Sequence, residues 1–385
     1  MTAAVRLEGA DELVAPAYDR AWVGAVLPSL AAGMGLDGFT DVLGLGPVDR
    51  AVVLLVDGLG LDLLREQADV APFLAEAAET GGWRSITAGF PSTTASSLGS
   101  LGTGLTSGEH GLVGYTFALP GAQHVLNCLR WGHEPDPHEV QPLPTLFERL
   151  ASAGVAASHL GPRSFAGTGL TTAVLRGARY PGAETAGELV GGVARELRAA
   201  PRALLYLYYG NLDRVGHSRG CGSLDWRAQL AHVDLLARQV AEVLPPGAQL
   251  HVTGDHGMVD VPAGARIDVE SDPRLHAGVR LLGGEPRARH VYAQPGAAAD
   301  VLGSWSEVLG DRAWVLSREQ AVAAGWFGPV VSERVLPRIG DVVAAARGSW
   351  ALTAPRSQPM ESSLVGYHGS LTRAEMVVPL VTVRG

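Results

Sequence analysis

The sequence predicts an α/β fold, with a central, mostly parallel sheet flanked by helices on both faces. The first observation is "AVVLLV" (51–56), a continuous apolar run typical of a strand buried on both faces of a parallel sheet. The second is that further apolar strands, at 203–209 and 249–254, alternate with stretches of helical periodicity at 185–200 and 224–244. Alternation of strand and helix along the chain argues for a parallel sheet.

The other elements follow from the same patterns. Residues 61–81 and 144–152 resemble helices, and 155–160 resembles a short strand. From 260 to 345 the strands and helices become shorter, which indicates a small α+β insertion. The apolar run at 376–383 then returns to the central sheet. We therefore expect one catalytic domain over residues 1–385, with the insertion within it.

Composition excludes several classes of function. The net charge of −9 gives no electrostatic basis for binding nucleic acid or an anionic membrane. Cys128 and Cys221 are far apart, and they form neither a disulfide framework nor a thiolate metal site. The N-terminal residues do not resemble a secretory signal, and no apolar run is long enough to span a membrane. The sequence thus predicts a cytoplasmic protein.

Acidic residues and histidines follow the ends of three predicted strands. Asp57 follows the first strand, Asp213 and His217 follow the strand at 203–209, and "GDHGM" places Asp255 beside His256. Ligands of open α/β sheets bind beyond the carboxyl ends of the strands. Each of these residues alone could be a turn residue, a helix cap or an exposed pair. It is harder to explain all of them together, at the ends of three strands, as turn residues, caps or exposed pairs.

A further histidine, His368, stands between glycines in "GYHGS" near the C-terminus. Together the chain then offers three aspartates and three histidines, which are ligand types that suit Zn²⁺ and similar divalent cations. This number is sufficient for two metal sites, each with an open position. We therefore expect two divalent metal ions, Zn²⁺ or a similar cation.

The hydroxyl-rich segment "GFPSTTASSLGSLGTGL" (89–105) has two interpretations. Serine and threonine are common at helix N-caps, so the segment alone indicates a turn and a helix start. Next to two metal ions, one of its hydroxyls could be a nucleophile, since a bound cation lowers the pKa of an alcohol. A threonine at a helix start can serve both purposes, because the helix dipole favours negative charge there.

The ordered set of motifs resembles the alkaline phosphatase superfamily, and most closely its nucleotide pyrophosphatase/phosphodiesterase branch. The motifs that carry the resemblance are "VDGLG" (56–60), "PSTTASSLGSLGTGLTSGEHGLVGY" (91–115), "DRVGHSRG" (213–220), "TGDHGM" (253–258) and "YHGS" (367–370). The resemblance implies an alkaline-phosphatase-like fold and hydrolysis of phosphodiester or pyrophosphate bonds. The substrate it implies is a small phosphodiester or nucleotide-like molecule.

The resemblance also implies roles for individual residues. It implies one metal held by Asp57, Thr94, Asp255 and His256, and a second held by Asp213, His217 and His368. The nucleophile of the family is a threonine nine residues before the threonine of "TGL", which is Thr103 here. That count implies Thr94 as the nucleophile, with Thr93 as a structural neighbour expected to cap the helix.

One position departs from the family pattern. The family has an asparagine that binds phosphate twenty-one residues after the nucleophile, and this position is Tyr115 here. A phenol can donate one hydrogen bond, so Tyr115 is a candidate substrate-binding residue, although an aromatic core position is the alternative. Phosphomonoesterase, phosphonoacetate-hydrolase-like and non-catalytic phosphate-binding functions stay open as alternatives.

Overall fold

The computed structural model describes residues 12–81 and 83–385. The strands are β1 (Arg50–Val56), β2 (Ser85–Thr87), β3 (Thr116–Ala118), β4 (Val125–Asn127), β5 (Ala156–Leu160), β6 (Ala203–Tyr209), β7 (Gln249–Thr253), β8 (Val259–Asp260), β9 (Arg266–Asp268), β10 (Val279–Glu285), β11 (Ala288–Ala293), β12 (Ala313–Ser317), β13 (Val342–Ala346), β14 (Ala351–Thr353), β15 (Gly366–Tyr367) and β16 (Val377–Arg384). The α-helices are α1 (Val26–Gly33), α2 (Leu61–Glu66), α3 (Pro72–Thr80), α4 (Thr94–Thr103), α5 (Ser107–His110), α6 (Pro137–Val140), α7 (Leu146–Ser152), α8 (Gly169–Leu175), α9 (Ala186–Ala199), α10 (Asn211–Arg219), α11 (Leu224–Glu242), α12 (Pro273–His276), α13 (Ala298–Leu309), α14 (Arg318–Ala323), α15 (Pro359–Ser362) and α16 (Arg373–Met376).

A six-stranded mixed sheet lies at the centre, in the order β2-β16-β7-β1-β6-β5. Strands β7, β1, β6 and β5 are parallel to one another. The C-terminal strand β16 lies antiparallel between β7 and β2. The α/β class predicted from the sequence is confirmed, and the antiparallel pairing of β16 makes the sheet mixed.

Helices cover both faces of this sheet, because alternate residues of its central strand contact two different cores. Val53 and Leu55 of β1 belong to a core that includes side chains of α1, α4, α7 and α8. Val52 and Leu54 point the other way, into a core that includes side chains of α2, α3, α9 and α11. A strand covered on both faces requires an unbroken apolar run, and this explains the pattern at 51–56.

Local sequence explains where the helices begin. Thr185 and Glu188 form a capping box at the start of α9, and the Ser223 side chain caps α11. The single helical stretch predicted over 61–81 is divided into α2 and α3, because Pro72 has no N–H to donate and instead occupies the first turn of a new helix. Within the described residues, no helix combines the length and apolar character needed to cross a membrane.

Residues 260–345, predicted to be an α+β insertion, supply most of a second sheet. Its antiparallel strands lie in the order β10-β11-β13-β12. On one face of this sheet, Val301 and Trp305 of α13 form a separate core. On the other face, Trp314 and Leu316 pack into the main core. The division of the chain into one domain with an insertion remains a prediction.

A buried ion pair joins this second sheet to the C-terminal segment. Arg287 lies between β10 and β11, and its guanidinium donates to both carboxylate oxygens of Glu375 in α16, at 2.9 and 2.6 Å. Both side chains are fully buried. The Glu375 carboxylate also accepts the N–H of Ser370 at 3.0 Å. The pair therefore anchors the turn that carries His368.

We predict that Glu375→Gln destabilises the fold, because it leaves the buried Arg287 charge without a countercharge. The expected loss is about 3–5 kcal/mol in the free energy of unfolding, measured by urea denaturation. The exposed pair Arg274–Glu307 provides the control, and Glu307→Gln should leave the unfolding free energy unchanged. Equal midpoints for the two variants would contradict this interpretation of the ion pair.

Candidate metal centre and active site

Three neighbouring strands of the central sheet bring three aspartates together. Asp57 directly follows β1, Asp255 follows β7 after one glycine, and Asp213 lies in the first turn of the helix after β6. Strands β7, β1 and β6 are adjacent and parallel, so their carboxyl ends meet at one edge. The backbone reinforces this arrangement, since the Asp213 N–H donates to the Asp57 carbonyl at 3.1 Å.

The three predicted histidines lie against these carboxylates. His217 is one helical turn after Asp213, and its Nε2 lies 3.3 Å from Asp213 Oδ2. The Nε2 of His368, which follows β15, lies 3.8 Å from Asp213 Oδ1. The Nε2 of His256 lies 3.4 Å from Asp57 Oδ1. Up to about three hundred positions lie between these residues in the sequence, and the fold places them in one cluster.

The cluster contains two groups with the spacing of metal ligands. Ligand atoms of Asp213, His217 and His368 lie within 4.8 Å of one another, as do those of Asp57, Asp213 and His256. Asp255 belongs to neither of these two groups but lies directly beside the second. Its Oδ1 accepts the N–H groups of Gly58 and His256, at 3.2 and 3.1 Å. Its Oδ2 is buried without a hydrogen-bond partner, 3.5 Å from His256 Nε2.

Each histidine is oriented by a backbone carbonyl that contacts its Nδ1 atom. The partners are Gly366 for His217 at 2.7 Å, Gly257 for His256 at 3.0 Å and Ser92 for His368 at 3.0 Å. A carbonyl oxygen only accepts, so the Nδ1 atom carries a proton and Nε2 is the nitrogen that faces the carboxylate cluster. This is the arrangement of a histidine that binds a metal through Nε2.

Burial and mutual repulsion shape the electrostatics of the site. Burial raises the pKa of Asp57 well above its usual range, and the neighbouring Asp255 and Asp213 raise it further. Burial also raises the pKa of Asp255. The pKa of His368 is lowered by burial and by the nearby His256 and His217 rings. The close carboxylates and imidazoles fit a divalent cation site, and so do two buried carboxylate oxygens that lack a hydrogen-bond partner, Asp213 Oδ1 and Asp255 Oδ2.

Thr94 lies at the edge of this cluster, as the first residue of the buried helix α4. Its Oγ1 is 3.3 Å from His256 Nε2 and 3.4 Å from Asp57 Oδ1. Thr93 holds the N-cap position, but its side chain makes no capping hydrogen bond. The expectation that the Thr93 hydroxyl caps the helix is therefore wrong.

An open pocket of about 450 Å³ lies over the cluster and is lined by Thr94 and Tyr115, among others. The Tyr115 hydroxyl donates to Glu361 at 3.2 Å and accepts from the Asn127 amide at 2.7 Å. Burial raises the pKa of Tyr115. The residue is thus a pocket-lining phenol whose hydroxyl already has two protein partners.

Sequence reasoning missed two residues of the site. The Tyr208 hydroxyl donates to Asp57 Oδ2 and so orients this carboxylate. A tyrosine near the end of a predicted neighbouring strand could have indicated it. Glu285, at the end of β10, is buried, and burial raises its pKa to about 8. Its Oε2 lies 3.9 Å from His368 Nδ1. No local sequence pattern marks Glu285, because only the packing of the second sheet brings it there.

Comparison with protein families finds one matching model. Residues 51–371 match the family described as type I phosphodiesterase / nucleotide pyrophosphatase. This range includes every predicted site residue. Comparison with curated proteins finds no match.

Solved structures show the same fold at low sequence identity. Murine ectonucleotide pyrophosphatase/phosphodiesterase 5 is 18% identical with a TM-score of 0.67, covering 86% of this chain and 87% of its own. An inactive threonine-to-alanine variant of that murine protein, in complex with AMP, has the same identity and coverage and a TM-score of 0.65. Phosphonoacetate hydrolase from Sinorhizobium meliloti 1021, in complex with phosphonoformate, is 20% identical with a TM-score of 0.67, covering 88% of this chain and 90% of its own.

We predict that Tyr208→Phe weakens binding of a divalent cation about tenfold, because Asp57 loses the hydroxyl that orients it. The measurement is Zn²⁺ titration of chelator-treated protein against a competing indicator. Tyr209→Phe is the matched control, since the Tyr209 hydroxyl bonds instead to Gln229 at 2.6 Å. Unchanged Zn²⁺ affinity in Tyr208→Phe would show that the hydroxyl does not orient a metal ligand.

Proposed function

The chain belongs to the type I phosphodiesterase / nucleotide pyrophosphatase family of hydrolases, and on that premise we propose that Thr94 is its nucleophile toward phosphodiester or pyrophosphate bonds. The main support is that Thr94 begins helix α4 and that its Oγ1 lies within 3.5 Å of both Asp57 and His256. In the proposed reaction this oxygen attacks phosphorus, the bond to the leaving oxygen breaks, and water later hydrolyses the phosphothreonine ester.

We assign the ligands of two divalent cations, proposed to be Zn²⁺, to the clustered side chains. Asp213, His217 and His368 form one set, and Asp57, Thr94, Asp255 and His256 form the other. Cations bound there would supply the positive charge that lowers the pKa of the Thr94 hydroxyl and neutralises the phosphoryl group. The N-terminus of α4 adds partial positive charge at Thr94 from the protein itself.

The pocket favours a substrate of low negative charge. Among the described residues that line it, Arg214 is the one guanidinium, and its side chain is exposed. A monoester carries two negative charges near neutral pH, whereas a diester carries one. Because the protein adds so little positive charge beyond that of the proposed cations, we expect a diester to be the better substrate. Tyr115, which lines the same pocket, is the proposed substrate-facing residue in place of the asparagine of the family pattern.

Two relatives support specific parts of this proposal. The inactive murine variant replaces a threonine with alanine and binds AMP, which supports a threonine nucleophile and a small nucleotide-like ligand here. The complex of phosphonoacetate hydrolase with phosphonoformate supports a second candidate, hydrolysis of a phosphonate at the same site. We keep the cytoplasm as the proposed compartment, because Cys128 and Cys221 are both free.

We predict that Thr94→Ala lowers kcat by several orders of magnitude, because the attacking oxygen is lost. Thr93→Ala is the matched control and should keep most of the activity. Thr94→Ser keeps the oxygen and should retain measurable turnover. Intact-mass analysis of rapidly quenched protein, followed by peptide mapping, should find the phosphoryl group on Thr94. Activity loss or a phosphoryl group that follows Thr93 would overturn the assignment.

We predict that kcat/KM for bis-p-nitrophenyl phosphate exceeds that for p-nitrophenyl phosphate at least tenfold, because the pocket offers little charge for a dianion. The two substrates share a leaving group and differ both in charge and in the second ester group, so methyl p-nitrophenyl phosphate, a monoanion without a second ring, separates the two effects. Phosphonoacetate is a further substrate in the comparison. Preference for the monoester would identify a phosphomonoesterase, and preference for phosphonoacetate would select the second candidate.

A further inference from the structure

Helix α10 forms one wall of the main pocket. Asp213 and His217 lie one turn apart on this helix and belong to the ligand cluster. Arg214 and Ser218 occupy the adjoining strip of the helix and line the same pocket. Arg214 is exposed, and its Nη2 donates to Asn211 Oδ1 at 3.1 Å. The helix therefore places a guanidinium directly beside one of the two proposed ligand sets.

The stability of the helix does not account for this arginine. No acidic residue stands three or four positions before or after Arg214, so α10 offers it no ion pair along its own face. Arg214 is the fourth residue of α10, near the N-terminal end, where the helix dipole disfavours a cation. Among the described residues, Asn211 is the one acceptor of its N–H groups. Most of the five guanidinium donors are thus available to a ligand in the pocket.

The position of α10 relative to Thr94 assigns this wall to one side of the substrate. In an in-line displacement the leaving oxygen lies opposite the attacking oxygen, and two ligand sets divide these oxygens between them. Thr94 Oγ1 contacts Asp57 and His256 of one proposed set. Arg214 adjoins Asp213, which belongs to the other set. The leaving group therefore departs along the wall that carries Arg214.

The chemistry of a guanidinium defines what this wall recognises. Its planar fork of N–H groups matches a carboxylate or a phosphate, each of which accepts two parallel hydrogen bonds. The other walls offer an anion no such partner. Glu361 lines the pocket, but its carboxylate accepts the Tyr115 hydroxyl at 3.2 Å and forms no ion pair with Arg214. An oxyanion on the leaving group would thus have Arg214 as its protein partner.

We propose that Arg214 is a specificity-determining residue that binds an oxyanion, a carboxylate or a phosphate, carried by the leaving group. This inference rests on the proposed hydrolysis of phosphodiester or pyrophosphate bonds and names the leaving group within it. It is compatible with the expected preference for diesters over monoesters. The second charge of a monoester lies on the transferred phosphoryl group, and a guanidinium that binds the leaving group does not neutralise it.

The first test varies the charge of the leaving group at constant shape. The substrates are methyl 3-carboxy-4-nitrophenyl phosphate and its 3-carbamoyl counterpart, each with kcat/KM divided by the uncatalysed rate constant. The carboxylate is meta to the ester oxygen, so it does not itself attack phosphorus. Every positive charge at the site contributes to the ratio of carboxylate to carboxamide in the unmodified enzyme. The informative quantity is therefore the change in this ratio when Arg214 is replaced.

We expect Arg214→Ala to lower the ratio of carboxylate to carboxamide about fivefold, and Arg214→Glu to lower it further. Because Arg214 is exposed, both variants should fold. Arg219→Ala is the matched control, since Arg219 is exposed on the same helix, removes the same charge when replaced, and is not among the residues that line the pocket. Its ratio should equal that of the unmodified enzyme.

A second pair of substrates tests the side of the pocket. Here p-nitrophenolate is the leaving group, and the retained ester is 3-carboxyphenyl or 3-carbamoylphenyl. Arg214→Ala should leave this ratio unchanged, because the charge now stays on the transferred phosphorus. A fall in this ratio, with no fall in the first, would overturn the assignment of Arg214 to the leaving group.

P1,P2-dimethyl pyrophosphate, whose leaving group is methyl phosphate, separates the two sources of the oxyanion. Its hydrolysis is followed by phosphorus NMR and compared with that of methyl p-nitrophenyl phosphate. Arg214→Ala should lower kcat/KM for the pyrophosphate about fivefold relative to the aryl ester. Dependence on Arg214 for the carboxylate alone, or for the pyrophosphate alone, would support the inference and identify the oxyanion.

Equal ratios in Arg214→Ala and Arg219→Ala, for both the carboxylate and the pyrophosphate, would overturn the inference. The phosphodiesterase function would then stand, because the neutral leaving groups are still hydrolysed. Failure to hydrolyse any of these substrates would instead reject the proposed function itself.

Discussion

The site depends on one constraint, which is that three carboxylates lie close together at the carboxyl ends of strands β7, β1 and β6. Asp57 and Asp255 are buried, and each loses stability as an anion because of burial and of its neighbours. The Gly58 N–H donates to Asp255 and the Tyr208 hydroxyl donates to Asp57. These hydrogen bonds offset part of the cost of burying the two anions. The close carboxylates and histidines therefore form a candidate site for divalent cations.

The histidines show how distant loops share in this arrangement. The carbonyl that orients His368 belongs to Ser92, two residues before the proposed nucleophile, and the carbonyl that orients His217 belongs to Gly366, two residues before His368. Displacing any one of these loops would rotate an imidazole in another. The ligand cluster and the start of α4 therefore form one connected unit, which holds Thr94 against its neighbours without a hydrogen bond from a Thr93 cap.

Much of the fold and of the site could be predicted because the signals are local. A continuous apolar run marks β1, and the four-residue spacing of Asp213 and His217 places both on one helix face. Other features depend on contacts between distant segments. Glu285 reaches the site only through the packing of the second sheet, which no local pattern marks. Pro72 is a different case, since a proline within the helical stretch was a visible signal of the break between α2 and α3.

The buried pair between Arg287 and Glu375 has a consequence for the modularity of the fold. Because Glu375 also holds the N–H of Ser370, the second sheet is tied to the loop that carries His368. An engineer who shortened the chain to its central sheet would remove the guanidinium that anchors this loop. The hairpin formed by β10 and β11 therefore helps to position His368, although it lies outside the central sheet.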